Sequence, residues 1–396
     1  MKRNADDRSL EAALYLLSIG LGNSLTTGLQ PLLPYYLRSI GATVEQLGTV
    51  LAVSRASVLA LLPLGGLLTD MLGRKTVLVL SPLIISLAYV LLSYATTWEM
   101  TILPLALAFL PTAIAGPATF AYMAELTSVE KYGRFYGLYF AVYNAATVLG
   151  YVAAGYLAEQ YGYKVLFLAT SATMLATAAL RMGLRESRGK RERCSASEEL
   201  AGWVRAARNE PVPTLVLLRS LSLAHATVLT AIYLPLLARD RAGLGESDLT
   251  FMFAVESLLF AALVPLGGRL IEGNSWARFV AIELFLRSLA GLLLIVEPTQ
   301  QGIFAALIIG SGLAIFLQPF VDARTSASVP TSVRGRIWSV QQFSHNLAIV
   351  LLTYVSGVLW ESLGPEPAIA STFAYILVMA YAVHRLRSME SLARVT

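Results

Sequence analysis

The sequence predicts an all-α membrane protein: twelve transmembrane helices in two pseudo-symmetric six-helix bundles. Three observations predict it. The 396-residue chain is 56% hydrophobic and 14% charged, with a mean hydropathy of +0.64, whereas a soluble domain carries about a quarter charged residues. The apolar residues come in runs of about twenty, enough to cross a bilayer as a helix and far longer than the alternating segments of a strand barrel. Finally, Pro63-Leu64-Gly65-Gly66 recurs 202 positions later as Pro265-Leu266-Gly267-Gly268. Asp70 with Glu272, Gly133-Arg134 with Gly335-Arg336, Asn144 with Asn346, Gly155 with Gly357 and Glu159 with Glu361 keep the same offset. A constant offset over so many pairs marks a duplicated unit.

In order, the spans fall at 10–37, 44–69, 75–96, 99–124, 134–159, 162–183, 212–238, 248–271, 276–296, 301–323, 335–361 and 366–386. The first is long enough to span, and no signal-peptide cleavage pattern accompanies it, so it is read as a retained helix. Pro104, Pro111 and Pro117 predict a kink in the fourth. The expected domains are an N-terminal bundle over 1–183, a cytoplasmic linker over 184–211 and a C-terminal bundle over 212–396. In the linker, Ser195 and Glu198 have the spacing of a capping box, and Leu200, Trp203, Val204 and Ala207 share one helical face. That segment is either an interfacial helix or a plain tether.

The 30 lysines and arginines are unevenly placed. Arg38, Lys164, Arg239 and Arg241 lie on one side of the membrane, and Arg55, Arg219 and Arg287 fall inside spans. All the others lie on the side of the turn that holds Asp70. This asymmetry puts that turn and both termini in the cytoplasm of a multi-pass cell-membrane protein. The formal net charge of +5 is therefore a topology signal rather than a nucleic-acid-binding face. One cysteine, Cys194, and three histidines leave no disulfide framework and little metal capacity. No H-E-x-x-H, phosphate-cradling loop or nucleophile elbow occurs, so neither an enzyme nor a cofactor is expected.

Between the second and third spans lies Gly66–Leu78, GLLTDMLGRKTVL. Gly66 suits a close helix approach, Gly73 a tight turn after a helix end, and Arg74 and Lys75 a cytoplasmic face. The pattern G-x-L-x-D-x-x-G-R-K resembles the signature loop of the major facilitator superfamily, with Met71 where a cation is usual. The stretch AELTSVEKYGRFYG after the fourth span is similar to the next cytoplasmic loop of that family. The resemblance covers nearly the whole chain. It implies two bundles around a central cavity, and secondary transport of a small solute by alternating access. It also implies a gate in which Arg74 pairs with Glu125 while Asp70 meets the start of span 11 near Arg336, a helix N-terminus that favours negative charge. The alternative is static surface pairs of little worth. Two departures weigh against drug–proton antiport. Thr112 stands where antiporters of the family carry an arginine, and Gly150-Tyr151-Val152-Ala153-Ala154-Gly155 lacks their proline.

Ionisable residues inside spans are costly and usually face a cavity or a partner. Glu283 and Arg287, at i, i+4 spacing, are expected to neutralise each other as a structural ion pair. Glu256 has no such partner in its own helix, and Arg55 occupies nearly the same depth in the repeat. Glu256 is thus a candidate proton-coupling or cation-binding carboxylate, with Arg55 beside it in role; the alternative is a bonded group that never titrates. By resemblance, spans 1 and 7 line the cavity. Candidate substrate-binding residues are Asn23, Thr27 and Gln30 in span 1, Tyr143 and Asn144 in span 5, His225 and Tyr233 in span 7, and Gln341, His345 and Asn346 in span 11. Such stripes of amides and aromatics suit a partly polar small molecule, or else act as interhelical hydrogen-bond glue. The expected function is a monomeric secondary active transporter of a small-molecule substrate, with protons as the coupling ion. The alternatives are a drug–proton efflux antiporter, a uniporter-type facilitator and a non-transporting membrane sensor.

Overall fold

The structure, a computed structural model, describes residues 5–127, 132–186, 212–270, 276–311, 321, 325 and 334–395. Among these residues every regular element is helical, and twelve helical stretches follow the expected spans in order. A backbone group in hydrocarbon has no water to bond, so each segment must satisfy its own amides and carbonyls, and the helix does this within one chain segment.

Helix α1 covers Ala5–Gly28, tightens into a 3-10 turn at Gln30–Leu32 and continues as Leu33–Ser39. Pro31 and Pro34 account for the turn, because proline donates no amide and its ring crowds the preceding turn. Helix α2 runs Val44–Leu61, tightens at Leu62–Leu64 and ends as Gly65–Leu72. Helix α3 is Arg74–Leu92, and α4 is Trp98–Phe109 followed by Thr112–Leu126, broken at Pro111. Tyr132–Met182 holds α5 and α6, separated at Gly162, where φ is 80° and ψ 167°. Helix α7 is Val212–Val228, a π turn at Leu229–Tyr233, then Leu234–Asp240. Then come α8 (Glu246–Leu270), α9 (Trp276–Val296), α10 (Gln300–Ser311), α11 (Arg334–Leu363) and α12 (Pro365–Ala370 with Thr372–Val395). Among the described residues eight helices, with α5 and α6 taken as one, are long and apolar enough to cross a membrane.

The duplication is visible in the backbone. The described glycines with positive φ are Gly41, Gly73, Gly162, Gly243 and Gly364. Gly41 pairs with Gly243 and Gly162 with Gly364 at the same 202-residue offset as the sequence repeat. Gly73 is the exception: its counterpart position is Ser275, outside the described residues. The expected linker helix and Cys194 also lie outside them.

The chain forms two compact units. The first comprises the described residues of Met1–Tyr36, Val53–Cys194 and Glu246–Ala254. The second comprises those of Leu37–Ala52, Ser195–Gly245 and Val255–Thr396. In the first, Tyr15 and Ile19 of α1, Val77 and Leu78 of α3, Tyr122 and Met123 of α4 and Tyr139 of α5 form a buried core. In the second, Leu215 and Leu218 of α7 pack with Leu284 of α9 and Met379 of α12. Lipid tails are as apolar as leucine, so helices in a bilayer associate through close packing and polar bonds rather than escape from water. The tightest such contact in the first unit is the crossing of α1 and α5. A Cβ on Gly150 would collide with the Ser24 carbonyl, and one on Gly28 with the Gly150 carbonyl.

Replacing Gly150 with leucine is expected to separate α1 from α5, at a cost of about 1–3 kcal/mol or more for overpacking. Gly137→Ala, where a Cβ has no neighbour within 4 Å, is expected to be neutral. Thermal unfolding of the purified variants in one detergent checks the contrast.

Candidate substrate site and charged turn

A polar ladder crosses the first unit one helical turn from the Gly28–Gly150 contact. The Asn23 amide donates to the Tyr143 carbonyl at 3.1 Å and to the Thr147 hydroxyl at 2.6 Å. Its own oxygen accepts from the Thr27 hydroxyl at 2.7 Å. Asn23, Thr27 and Tyr143 remain half-buried, whereas Gln30 is exposed at the start of the 3-10 turn. Asn144 bonds back to the Phe140 carbonyl of its own helix at 2.8 Å. Tyr139 and Tyr143 stack along α5 with ring centroids 6.2 Å apart, and Phe140 meets Tyr139 edge-on at 5.2 Å. Three of the expected residues are therefore brought into contact here. Thr147, which the sequence reading omitted, completes the group; its place one turn after Tyr143 was the available signal.

In the second unit the polar residues divide into separate groups. Arg287 and Glu283 are both fully buried, and an Arg287 nitrogen lies 3.0 Å from the carboxylate. The guanidinium also donates to the Ser222 carbonyl at 3.3 Å and to the Ser222 hydroxyl at 3.2 Å. His225, itself 2% exposed, has its Nδ1 3.3 Å from the guanidinium. Arginine cannot accept a hydrogen bond, so Nδ1 must accept, and the ring proton of a neutral His225 sits on Nε2. His225 thus belongs to a buried ion-pair network between α7 and α9. The Tyr233 hydroxyl lies 2.9 Å from both the Ser356 hydroxyl and the Ala368 carbonyl, and its ring stacks on Trp360. Gln341 is buried and donates to the Thr325 hydroxyl at 3.2 Å. Arg219 of α7 donates to the Gln342 side chain at 3.4 Å, a contact the sequence reading did not anticipate. His345 and Asn346 follow on α11 and are half-buried; Asn346 donates to the Gln342 carbonyl at 2.8 Å.

Two further charges lie within spans. Arg55 stacks over the Phe109 ring at 4.7 Å, a cation–π contact inside the first unit. Glu256 is half-buried in the second unit, its carboxylate 3.5 Å from the Ser257 hydroxyl.

At the turn between α2 and α3, Arg74 forms an ion pair with Glu125 at the end of α4. Gly73 takes φ 89° and ψ 146°, which reverses the chain within one residue. Glu186 reaches this turn from the end of α6. Its carboxylate accepts from the Lys75 amide and the Thr76 hydroxyl, both at 3.4 Å, at the positive N-terminal end of α3. Beside it, Glu11 of α1 accepts from the Tyr122 hydroxyl at 2.6 Å and the Arg185 amide at 3.0 Å. Arg181, counted in sequence among the loop-side cations, is 9% exposed and donates to the Ser18 hydroxyl and the Leu78 carbonyl. Asp70 lies in the last turn of α2 and Arg336 in the first turn of α11; their side chains lie outside the described set.

Helices long and apolar enough to cross a membrane thus carry a polar ladder in their interior and a charged turn at one end. The family model of the Major Facilitator Superfamily matches residues 13–382, and the chain belongs to that family. It is a family of membrane transporters of small molecules, not of enzymes. The Quinolone resistance protein NorA of Staphylococcus aureus is 23% identical over 146 residues, 37% of this chain and 36% of NorA. The Multidrug resistance protein 1 of Bacillus subtilis (strain 168) is 23% identical over 257 residues, 63% of each chain. The chain thus matches less than two thirds of the length of either relative. Among solved structures, a peptide transporter POT in complex with sulfate aligns with a TM-score of 0.79 at 12% identity, over 96% of this chain and 94% of that one. The nucleoside transporter NupG aligns with a TM-score of 0.75 at 13% identity, over 96% and 99%. At those identities the likeness is one of fold.

The buried network yields an asymmetric prediction. Arg287→Met alone strands the Glu283 carboxylate and is expected to destabilise the protein by about 3–5 kcal/mol. Glu283→Leu combined with Arg287→Met removes both charges and is expected to recover most of that loss. Unfolding midpoints of the single and double variants check it.

Proposed function

We propose that this protein is a monomeric secondary transporter of the cell membrane, with both termini in the cytoplasm, that moves a small, partly polar organic solute by alternating access. Two six-helix bundles, 1–183 and 212–396, joined by a linker over 184–211, rock about a central cavity. The observation that carries the reading is the Arg74–Glu125 ion pair at the foot of the turn that bears Asp70. The pair is partly shielded from solvent, with side-chain exposures of 17% and 32%. Together with Asp70 and Arg336 it forms a cytoplasmic gate that closes when the cavity faces outward and breaks when it faces inward.

The proposed solute-binding residues are Asn23, Thr27, Gln30, Tyr143 and Asn144 in the first sequence half and His345 and Asn346 in the second. His225, Tyr233 and Gln341 act as scaffold, because each is buried against a partner of its own. Amides and phenols offer donors, acceptors and ring faces, which suits an amphipathic molecule with one polar end.

A second reading, export in exchange for protons, is favoured by the resistance proteins among the relatives. On this reading Glu256 carries the exchanged proton and Arg55 supplies the opposing charge that favours its release.

Reconstituted protein in liposomes tests both. Arg74→Ala should slow counterflow of a bound solute about fivefold, the effect of ~1 kcal/mol on a gating equilibrium, with the melting temperature kept. Wild-type flux in that variant removes the gate. Glu256→Gln should abolish acceleration by an imposed pH gradient; an undiminished response removes Glu256 from the proton path.

A further inference from the structure

One charge in the first unit is left over from the gate and the buried networks. Arg55 lies eleven residues after the start of α2 and seventeen before its end, so about 16 Å of helix separates it from the nearer end and places it close to the middle of the bilayer. A charge at that depth is costly and is found against a partner or a water-filled space, not against lipid. Two other arginines of the spans have their partners. Arg287 has the Glu283 carboxylate, and Arg181 donates to the Ser18 hydroxyl and the Leu78 carbonyl.

Arg55 has a ring alone. Its guanidinium carbon lies 4.7 Å from the centre of the Phe109 ring. That contact uses the positive charge but none of the five N–H donors. Among the described residues no carboxylate pairs with Arg55. The first six spans hold none at its depth: their acids, Glu11, Glu45, Glu99 and Glu159, all lie at span ends.

The neighbouring residues fix where the cation sits. Ser54 and Ser57 flank it on α2, and their hydroxyls lie 3.2 Å from the Ile102 carbonyl and 3.1 Å from the Ala106 carbonyl of α4. These bonds set α2 against α4 just before Phe109, which brings the head of Arg55 over the ring. Beyond Phe109, α4 is open. Thr112 is exposed, and a Cβ on Gly116 would have no neighbour within 4 Å. Arg55 itself is half-buried.

We propose that Arg55 anchors an anionic group of the solute, so that the transported class is small organic acids bearing a carboxylate or a sulfonate. The planar fork of the guanidinium accommodates two oxygens of such a group at once, while the Phe109 ring holds one face of the cation. The proposal rests on the first transport reading above and gives a sign to the polar end of its amphipathic solute.

Titration calorimetry of the full chain in neutral phosphatidylcholine nanodiscs tests it, with benzoate, benzenesulfonate and the uncharged benzamide as probes. Both anions should bind saturably at millimolar concentration, and benzamide should not; this comparison needs no variant. Benzenesulfonate stays charged across the working pH range, so its binding reports charge and not proton uptake. Arg55→Gln should weaken both anions about 10- to 100-fold, the range for hydrogen bonds to a charged group. Arg55→Lys, which keeps the charge without the fork, should fall between. Undiminished anion binding in Arg55→Gln, benzamide binding as tight as that of benzoate, or no saturable anion binding to the wild type overturns the proposal. So does loss of benzenesulfonate binding when phosphatidylglycerol replaces part of the neutral lipid, because that assigns the arginine to a headgroup. Counterflow of labelled benzoate in liposomes separates the two claims. Arg55-dependent binding without flux supports the anion site and sinks the transport reading. Unimpaired flux in Arg55→Gln overturns the anion site and leaves the transport reading in place.

Discussion

Inside hydrocarbon an apolar side chain gains nothing by leaving lipid for protein, so the distance at which two backbones can meet decides which helices associate. That distance is set in the first unit by Gly28 and Gly150, whose missing side chains leave room for each other's helix carbonyls. Gly65 does the same for α2 against the Ala113 carbonyl of α4. The polar ladder depends on this geometry. Asn23 reaches both Thr147 and a carbonyl on α5 because the two helix axes are close enough for a short amide to bridge them. With a larger residue at 150 the amide would lose its partners inside an apolar bundle, and an unsatisfied amide there is expensive.

The same economy governs charge. Arg287, Arg181 and Glu11 each make several bonds. Arg287 uses its donors on Glu283, Ser222 and His225; Arg181 uses its own on a hydroxyl and a carbonyl; Glu11 accepts from a phenol and an amide. Multiple partners are what make a desolvated charge tolerable. They also fix orientation, so these groups act as framework, whereas Asn23, Thr27 and Tyr143 stay half-buried.

Helix order and position were legible in the sequence because bilayer spans write themselves as long apolar runs, and the charged turn was legible through its resemblance to a family signature loop. The duplication was legible too, and the backbone extends it: Gly162 and Gly364 adopt matching positive φ although no sequence motif singled them out. What stayed hidden was lateral. Sequence gives the depth of a residue in a span but not its azimuth, so His225 read as a cavity residue although it turns towards Arg287. Arg181 read as a loop cation because it ends a span, yet α1 and α3 enclose it. Glu186 and Glu11 lie just outside or at the edge of apolar runs, where acidic residues are ordinary, and only the folded chain shows what they grip.

The π turn at Leu229–Tyr233 has a bearing on how such a chain can change over generations. A five-residue turn holds one residue more than the ladder on either side needs, which advances everything beyond it by about 100°. Beyond it Leu234–Ala238 is buried and keyed by Tyr233 to Ser356, while the stretch before it, Val212–Val228, is keyed by His225 and Arg219. The two stretches are therefore indexed separately. A one-codon insertion or deletion in this helix can be taken up at Leu229–Tyr233 while both ends keep their registration, a tolerance that an unbroken α-helix of the same length would lack.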